Sequence, residues 1–518
     1  MRGEVHGVKI FFNPFIFYFI ITAMSAPTIA GIRKSTDDIP LHNRYFYRLI
    51  DRASAISPSS YFTDNVKPVS IKEAVIFFNP DEEMEHLFGR NKRLDRFVSF
   101  SNKHIKRKEY RGNNFLVNPI NSIVIEGVYS QEKDALLYSN FGERFSGHNY
   151  LTLTGLGNLF IKDFAVLSYD LRLKENEGDR ELEFYRYRVK KGFKHVSLIY
   201  AKDNLLFGPG HFGKLMLSRN VKPEEICMVK TEVPYDWGLL GKFRWYIWNI
   251  WYDDDLRAGH DPMMLGVRLS FRPFDEFEVN ISRMSFYAQE YKKFKDYWHL
   301  FTAKYDNSGE AGDKWKTDQL VSLETSLYLP FLSRLSPFQG GKFYTEHTWN
   351  DFYGRWQKSD IIDEPGFIEL IGMSYIYGLF LTTGRFDVRC EYVKTSRHYT
   401  TSNFSAEGYT DEGFLIGHYL EGDALGYFGE IYFEITKDTH ICLNGGYISR
   451  GIHLDEQQIQ KQYGGGIRYF PLKSLEVNFD VNYINRNKKD VNSSPIYYSF
   501  TDKEESDIFF SIDMVFWL

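Results

Sequence analysis

Between Leu475 and Tyr483 every second side chain is apolar: Leu475, Val477, Phe479, Val481 and Tyr483 alternate with Glu476, Asn478, Asp480 and Asn482. Successive side chains of a strand point to opposite faces, so this segment is a strand with one wholly apolar and one wholly polar face. The pattern returns in Leu265, Val267, Leu269 and Phe271, in Phe277, Val279 and Ile281, and in Val321, Leu323, Thr325 and Leu327. Turn signals such as Arg272-Pro273-Phe274-Asp275 and Phe470-Pro471-Leu472-Lys473-Ser474 separate some strands, and long polar loops separate others. No helical stretch could hold this period, and it persists from about residue 115 onward.

Sandwiches and membrane barrels both alternate, so the polar face has to decide between them. It carries Arg268, Arg272, Glu278, Glu324, Arg389 and Glu391, and further along Glu430, Glu434, Glu476 and Asp480. Both signs on strands throughout the chain suit a closed lumen in which ion pairs fill the interior. The other face is rich in aromatic residues, and Trp245, Tyr246, Trp248, Trp251 and Tyr252 read as an interfacial girdle, with sugar stacking as the alternative. Ile508, Phe510, Ile512, Met514, Phe516 and Leu518 make a last apolar strand. Dividing the stretch 113–518 by the roughly 20 to 24 residues that a strand and its loops take gives about 16 to 20 strands. The fold expected is therefore an all-β transmembrane β-barrel of about 18 antiparallel strands. That architecture also reconciles 17% aromatic residues with a mean hydropathy of -0.38, because half of each strand faces lipid and half a charged interior.

The N-terminal region has a different period. Ile10 to Thr22 is apolar but interrupted by Asn13 and Pro14, and Thr28-Ile29-Ala30 offers small residues for cleavage, so residues 1–30 read as a secretory signal. Residues 31–112 read as a small helical periplasmic or plug region. Leu41, Tyr45, Leu49, Ala53 and Ile56 share one helix face, Ser70 to Glu73 fits a capping box, and Asp81 to Val98 is a third candidate helix. The basic run Lys103 to Lys108 reads as a solvated linker. Residues 113–518 form the barrel. Net charge is -5, which gives no footprint for nucleic acid. Cys227, Cys390 and Cys442 are too far apart for a zinc or redox motif and read as small apolar side chains.

Catalytic patterns are missing from the sequence. Asp253-Asp254-Asp255 with His260 and Asp261 reads as a solvated loop more readily than as a cation site. Glu430 and Glu434 lie roughly 13 Å apart along a strand, beyond the spacing that glycoside cleavage uses. Neither a metal nor a cofactor is expected. The distinctive segment is Leu206-Phe207-Gly208-Pro209-Gly210-His211-Phe212-Gly213-Lys214, which runs into Leu215-Met216-Leu217-Ser218-Arg219-Asn220. Glycines around a proline impose a tight backbone path, which suits an inward-folded loop with backbone groups free to meet hydroxyls.

This GPG segment and its leucine-serine-asparagine continuation resemble the capsule assembly Wzi family. Further matches follow in order: Gly266 and Arg268 in Leu265 to Leu269, Arg272-Pro273, Ile281-Ser282-Arg283, Gly417-His418-Tyr419-Leu420 and Asp423-Ala424. The chain departs from the family pattern at Leu206 and Phe207, where relatives usually have tryptophans, at Arg219, where asparagine is common, and at Glu421-Gly422, where a glycine-proline pair is usual. The resemblance implies a plugged, monomeric barrel in the outer membrane of a Gram-negative-type bacterium, in contact with outer-membrane lipid. It also implies a lectin-like role, holding capsular or exported polysaccharide without catalysis. His211, Arg219, Asn220 and His418 are the binding residues it suggests. Gly208, Pro209, Gly210, Gly266, Arg268, Arg272, Pro273, Gly417 and Asp423 are the structural ones. The rival reading is a porin-like channel for sugars or small solutes.

Overall fold

The computed structural model describes residues 38, 41, 44–59, 62–70, 73, 115–131, 148–161, 164–176, 179–193, 195–252, 263–287, 301, 317–350, 373–397, 399, 409–412, 414–453, 457–472, 474–487 and 505–517. The expected signal sequence, the third helix with most of the second, the basic linker and the Asp253 to Asp261 loop lie outside them.

Eighteen antiparallel strands among the described residues close into one barrel. They are β1 (Phe115–Ser130), β2 (Asn149–Ile161), β3 (Ala165–Asn176), β4 (Asp179–Gly192), β5 (Val196–Asp203), β6 (Glu224–Thr231), β7 (Lys242–Trp251), β8 (Met263–Phe274) and β9 (Phe277–Tyr287). There follow β10 (Thr317–Tyr328), β11 (Gly340–Asn350), β12 (Ser374–Thr382), β13 (Phe386–Thr395), β14 (Ala424–Glu434), β15 (Thr439–Arg450), β16 (Gln458–Leu472), β17 (Leu475–Asn487) and β18 (Glu505–Trp517). Each pairs with the next, and β18 closes on β1 through a register running from Ser122 opposite Trp517 to Ser130 opposite Phe509. Closure removes every wall edge that lipid would otherwise leave without hydrogen bonds. One rim has tight turns, as at 274–277, 382–386 and 472–475, while the other carries the long connections.

The alternation sorts side chains as the sequence implies. Arg268, Glu278, Glu324, Arg389, Glu391 and Glu476 are buried in the lumen, whereas Leu323, Leu327, Phe479 and Ile512 are exposed on the lipid-facing wall. On that wall Tyr377, Tyr392, Tyr427 and Tyr447 stand directly opposite one another on β12 to β15, toward the long-loop rim. Amphipathic rings favour such a membrane interface. The expected girdle around Trp245 needs correction. Trp245 and Trp251 remain partly exposed, but Tyr246, Trp248 and Tyr252 are buried. Trp248 and Tyr246 pack on Phe207, with ring centroids 4.5 and 5.9 Å away. All three cysteines are free.

The lumen is filled from both ends. From the short-turn rim enters α1 (Arg44–Ile56), which carries the expected Tyr45, Leu49, Ala53 and Ile56 face but also buries Phe46, Tyr47, Ile50 and Arg52. A helix buried all round is core rather than surface. Its charges pair with the wall: Arg48 with Glu430 at 2.7 Å, Arg52 with both oxygens of Asp387 at 2.9 Å, and Asp51 with Arg389 at 2.7 Å. Ser70 N donates to Glu73 at 3.0 Å, as a capping box requires. From the long-loop rim the connection 204–223 folds inward, and the two plugs meet where Val66-Lys67 pairs with Leu206-Phe207 and Gly208 N donates to Asn65 O at 3.0 Å.

Candidate functional site

The GPG segment is held by two buried carboxylates of the wall. Glu346 accepts from Leu215 N at 2.8 Å and Met216 N at 3.3 Å. Glu391 accepts from His211 N, from Phe212 N at 3.2 Å and from Tyr344 Oη at 2.6 Å. An inward loop has no strand partner for its N–H groups, so acids projecting from the wall supply the acceptors. Gly208 sits at φ +127°, where a side chain would be strained and would run into Glu346. Lys214 Nζ donates back to Gly208 O and to Gly210 O, the latter at 2.8 Å. Burial, with Lys67 nearby, pulls the Lys214 amine down to about 7.

A second inward segment braces the first. His418 N donates to Tyr399 Oη at 2.9 Å, and His418 Nδ1 accepts from Leu420 N at 3.2 Å. The His418 ring lies so close over Gly213 that a Cβ there would be 2.5 Å from it. Burial and then Arg450 depress this imidazole to about 3, so it is neutral. Asn220 Nδ2 donates to Gly417 O at 3.1 Å, and Gly417 itself faces Leu215 O and Tyr399, leaving no room for a Cβ. Asp423, at φ +51°, accepts from His453.

Between these plugs and the wall from β14 to β18 lies a slot of about 360 Å³. α1 contributes Arg48 and Asp51, the GPG segment contributes Pro209, His211 and Arg219, and the wall contributes Glu430, Tyr432, Asn444, Gln462 and Asn478. His211 Nε2 lies 3.4 Å from Glu430 Oε2. Burial and then Arg389 pull its imidazole down to about 4, against the attraction of Glu430. Arg219 is lowered to about 10 by burial and Arg44, so it keeps its charge. Arg48 stacks 3.9 Å from the centroid of Tyr432. The slot thus presents amides, a neutral imidazole, several guanidinium groups, carboxylates such as Asp51 and Glu430 and an aromatic face. Groups of this kind suit a neutral or charged polyol, and among the described residues no cluster of His, Cys, Asp and Glu could hold a metal.

Of the residues singled out from sequence, His211 and Arg219 line the slot together, while Asn220 and His418 sit in the joint between the two inward segments. The structural positions are all tightly used. Gly266 lies against Trp248, Arg268 binds Glu324 in bidentate fashion inside the lumen, Arg272 reaches Phe62 O at 2.5 Å, and Pro273 packs beside Gly241. Sequence reading missed Arg48, Asp51, Asn444 and Gln462. The wall residues among them stand on polar strand faces, which gave the only signal available.

A closed even-numbered barrel, apolar outside, charged within and plugged from both rims, defines an outer-membrane β-barrel protein. Residues 121–493 match the family described as capsule assembly protein Wzi. The chain belongs to that family. The solved structure of Wzi from Escherichia coli, described as an outer-membrane protein involved in group 1 capsule assembly and as a carbohydrate-binding β-barrel, aligns with a TM-score of 0.65 at 15% identity, covering 94% of this chain and 100% of that one. OprD of Pseudomonas aeruginosa aligns with a TM-score of 0.44 at 8% identity over 76% of this chain and 94% of its own. An anion-selective porin from Comamonas acidovorans gives 0.36 at 8% identity over 78% and 99%. No curated protein matches the chain in sequence.

Proposed function

We propose that this barrel binds a capsular or exported polysaccharide at the cell surface and holds it there without cleaving it. The observation that carries this reading is the slot beside His211 and Arg219, whose polar lining comes from plug and wall together. Single contacts of this kind are weak, but a polymer repeats its epitope, and tethering multiplies them into stable retention. Binding rather than cleavage is favoured by the engagement of carboxylates lining the slot: Glu430 is paired with Arg48 and Asp51 with Arg389. A channel is disfavoured by a lumen occupied from both rims. The chain is taken to act as a monomer surrounded by outer-membrane lipid.

The test combines retention with binding. His211→Ala and Arg219→Ala together should weaken binding of purified surface polysaccharide about tenfold, corresponding to about 1.4 kcal/mol, and should release polymer from cells, with the barrel's heat-dependent gel mobility unchanged. Folded variants that retain polymer like the parent refute the site. A stable large conductance of the parent in planar bilayers would favour the channel.

A further inference from the structure

Three consecutive turns of the short-turn rim carry apolar tips. The β6–β7 turn exposes Trp237 and Leu240, the β8–β9 turn Phe274, and the β10–β11 turn Phe331 and Leu335, each side chain more than half exposed. In the last of these, Pro330–Arg334 forms a short 3-10 helix with no buried residue. Elsewhere on this rim each turn carries at most one large exposed apolar tip, Phe164 after β2, Ile435 after β14 and Leu472 after β16, and Gly384-Arg385 carries none, so the density of tips rather than their presence sets the β6–β11 third apart. Water-facing turns gain nothing from five large apolar tips on one third of the circumference, and contiguous apolar surface of this kind marks a contact.

The contact can be named from its continuity with the lipid-facing wall. The Trp237 ring stacks on Phe243 at 4.5 Å and on Phe271 at 6.1 Å, and these two stand opposite each other on β7 and β8. The ridge is therefore the membrane face prolonged past the last strand pairs. Charges of both signs border it: Lys242, whose Nζ holds Asp236 at 2.7 Å, the exposed Arg334, and Asp275 and Glu276 next to Phe274. Aromatic and leucine tips that continue a lipid-facing wall and end among charged groups match the boundary between acyl chains and the polar headgroup layer. We propose that Trp237, Leu240, Phe274, Phe331 and Leu335 form a one-sided wedge inserted into the phospholipid leaflet at the short-turn rim, seating the β6–β11 side of the barrel deeper than the opposite side.

Lipid-bromine quenching tests the wedge. The full-length protein and Trp237→Phe are reconstituted in phosphatidylcholine vesicles, and the difference between their emission spectra isolates Trp237. The expected difference spectrum is blue-shifted, loses most of its intensity when the lipid carries bromine on the acyl chain near the headgroup, and resists aqueous iodide. A water-like difference spectrum that iodide quenches and brominated lipid does not would overturn the proposal and leave a protein partner as the occupant. If Trp237→Phe loses its heat-dependent mobility, Leu335→Trp in the otherwise native chain is read the same way. Its added emission must be quenched by brominated lipid, and quenching by iodide instead overturns the wedge.

Discussion

Removing the guanidinium of Arg52 should loosen the α1 plug while sparing the wall. Arg52 is buried, its Nε faces both oxygens of Asp387 at 2.9 Å, and it also reaches Glu434. Arg52→Met strands the buried Asp387, and removing one partner of a buried pair costs about 3–5 kcal/mol. Some of that is recovered here. Thr382 Oγ1 still donates to Asp387 at 2.8 Å, and Arg48 lies 3.5 Å away. A net loss of about 3 kcal/mol is expected. It falls on the docking of α1, because the wall's ladder of backbone hydrogen bonds is untouched. Local opening of α1 should then be favoured by about two orders of magnitude, at 1.4 kcal/mol per decade. Hydrogen exchange read by mass spectrometry on peptides covering 44–56 measures this directly. Protection should drop about a hundredfold there and stay unchanged in β14 and β15. Adding Asp387→Leu removes the stranded charge and should restore most of the protection. Unchanged exchange in Arg52→Met, or a double variant as loose as the single one, would refute the claim that this ion pair seats the plug.

Other outcomes follow from individual residues. Glu421 lies at φ +67°, where an L side chain is strained, so Glu421→Gly should raise stability toward urea by about 1 kcal/mol. Gly213→Ala would place a methyl 2.5 Å from the His418 ring and should cost about 1–3 kcal/mol through overpacking, seen as a lower urea midpoint. The His418 imidazole is depressed to about 3 from an ordinary 6.5, so between those values the unfolded chain binds a proton that the folded chain does not. Its contribution is complete above pH 6.5 and is lost as pH falls toward 3. His418→Gln should therefore flatten the decline in urea midpoint between pH 6.5 and 4, and an unchanged slope contradicts the assignment. Lys214, pulled down to about 7, acts in the same sense at higher pH: stability should rise with pH from 7 toward 10.5, and Lys214→Met should remove that rise.

Strand faces were legible wherever polar and apolar residues alternate, as in β9, β10 and β17, since each polar face there fixes the parity of the whole strand. Parity was illegible in β7. From Phe243 to Tyr252 both faces carry large apolar residues, one set for lipid and one for Phe207 of the inward segment, and no local pattern distinguishes two apolar neighbours. The GPG segment announced its inward path through its own glycines. The slot did not announce itself, because it is built from pairs such as Arg48 with Glu430 and Asp51 with Arg389, over 300 residues apart. Local spacing says nothing about such pairs, and only closure of the wall brings them together. Asn220 and His418 show the converse: a motif marks where the backbone is constrained, and its polar side chains serve that constraint before any ligand.

Pairing of β1 with β18 carries a consequence for biogenesis. Nine register positions join Ser122–Ser130 to Phe509–Trp517, so the two halves of the seam are separated by nearly the full span of the wall. Until β18 pairs with β1, the open sheet presents two unsatisfied strand edges and a half-formed trough, a state prone to pairing with other chains. α1 precedes every wall strand in sequence, yet the wall groups that hold it, Asp387 and Arg389 on β13 and Glu430 on β14, come together only when those strands pair, so its docking waits on the wall. Closure of the wall is thus completed by the pairing of its two most distant strands.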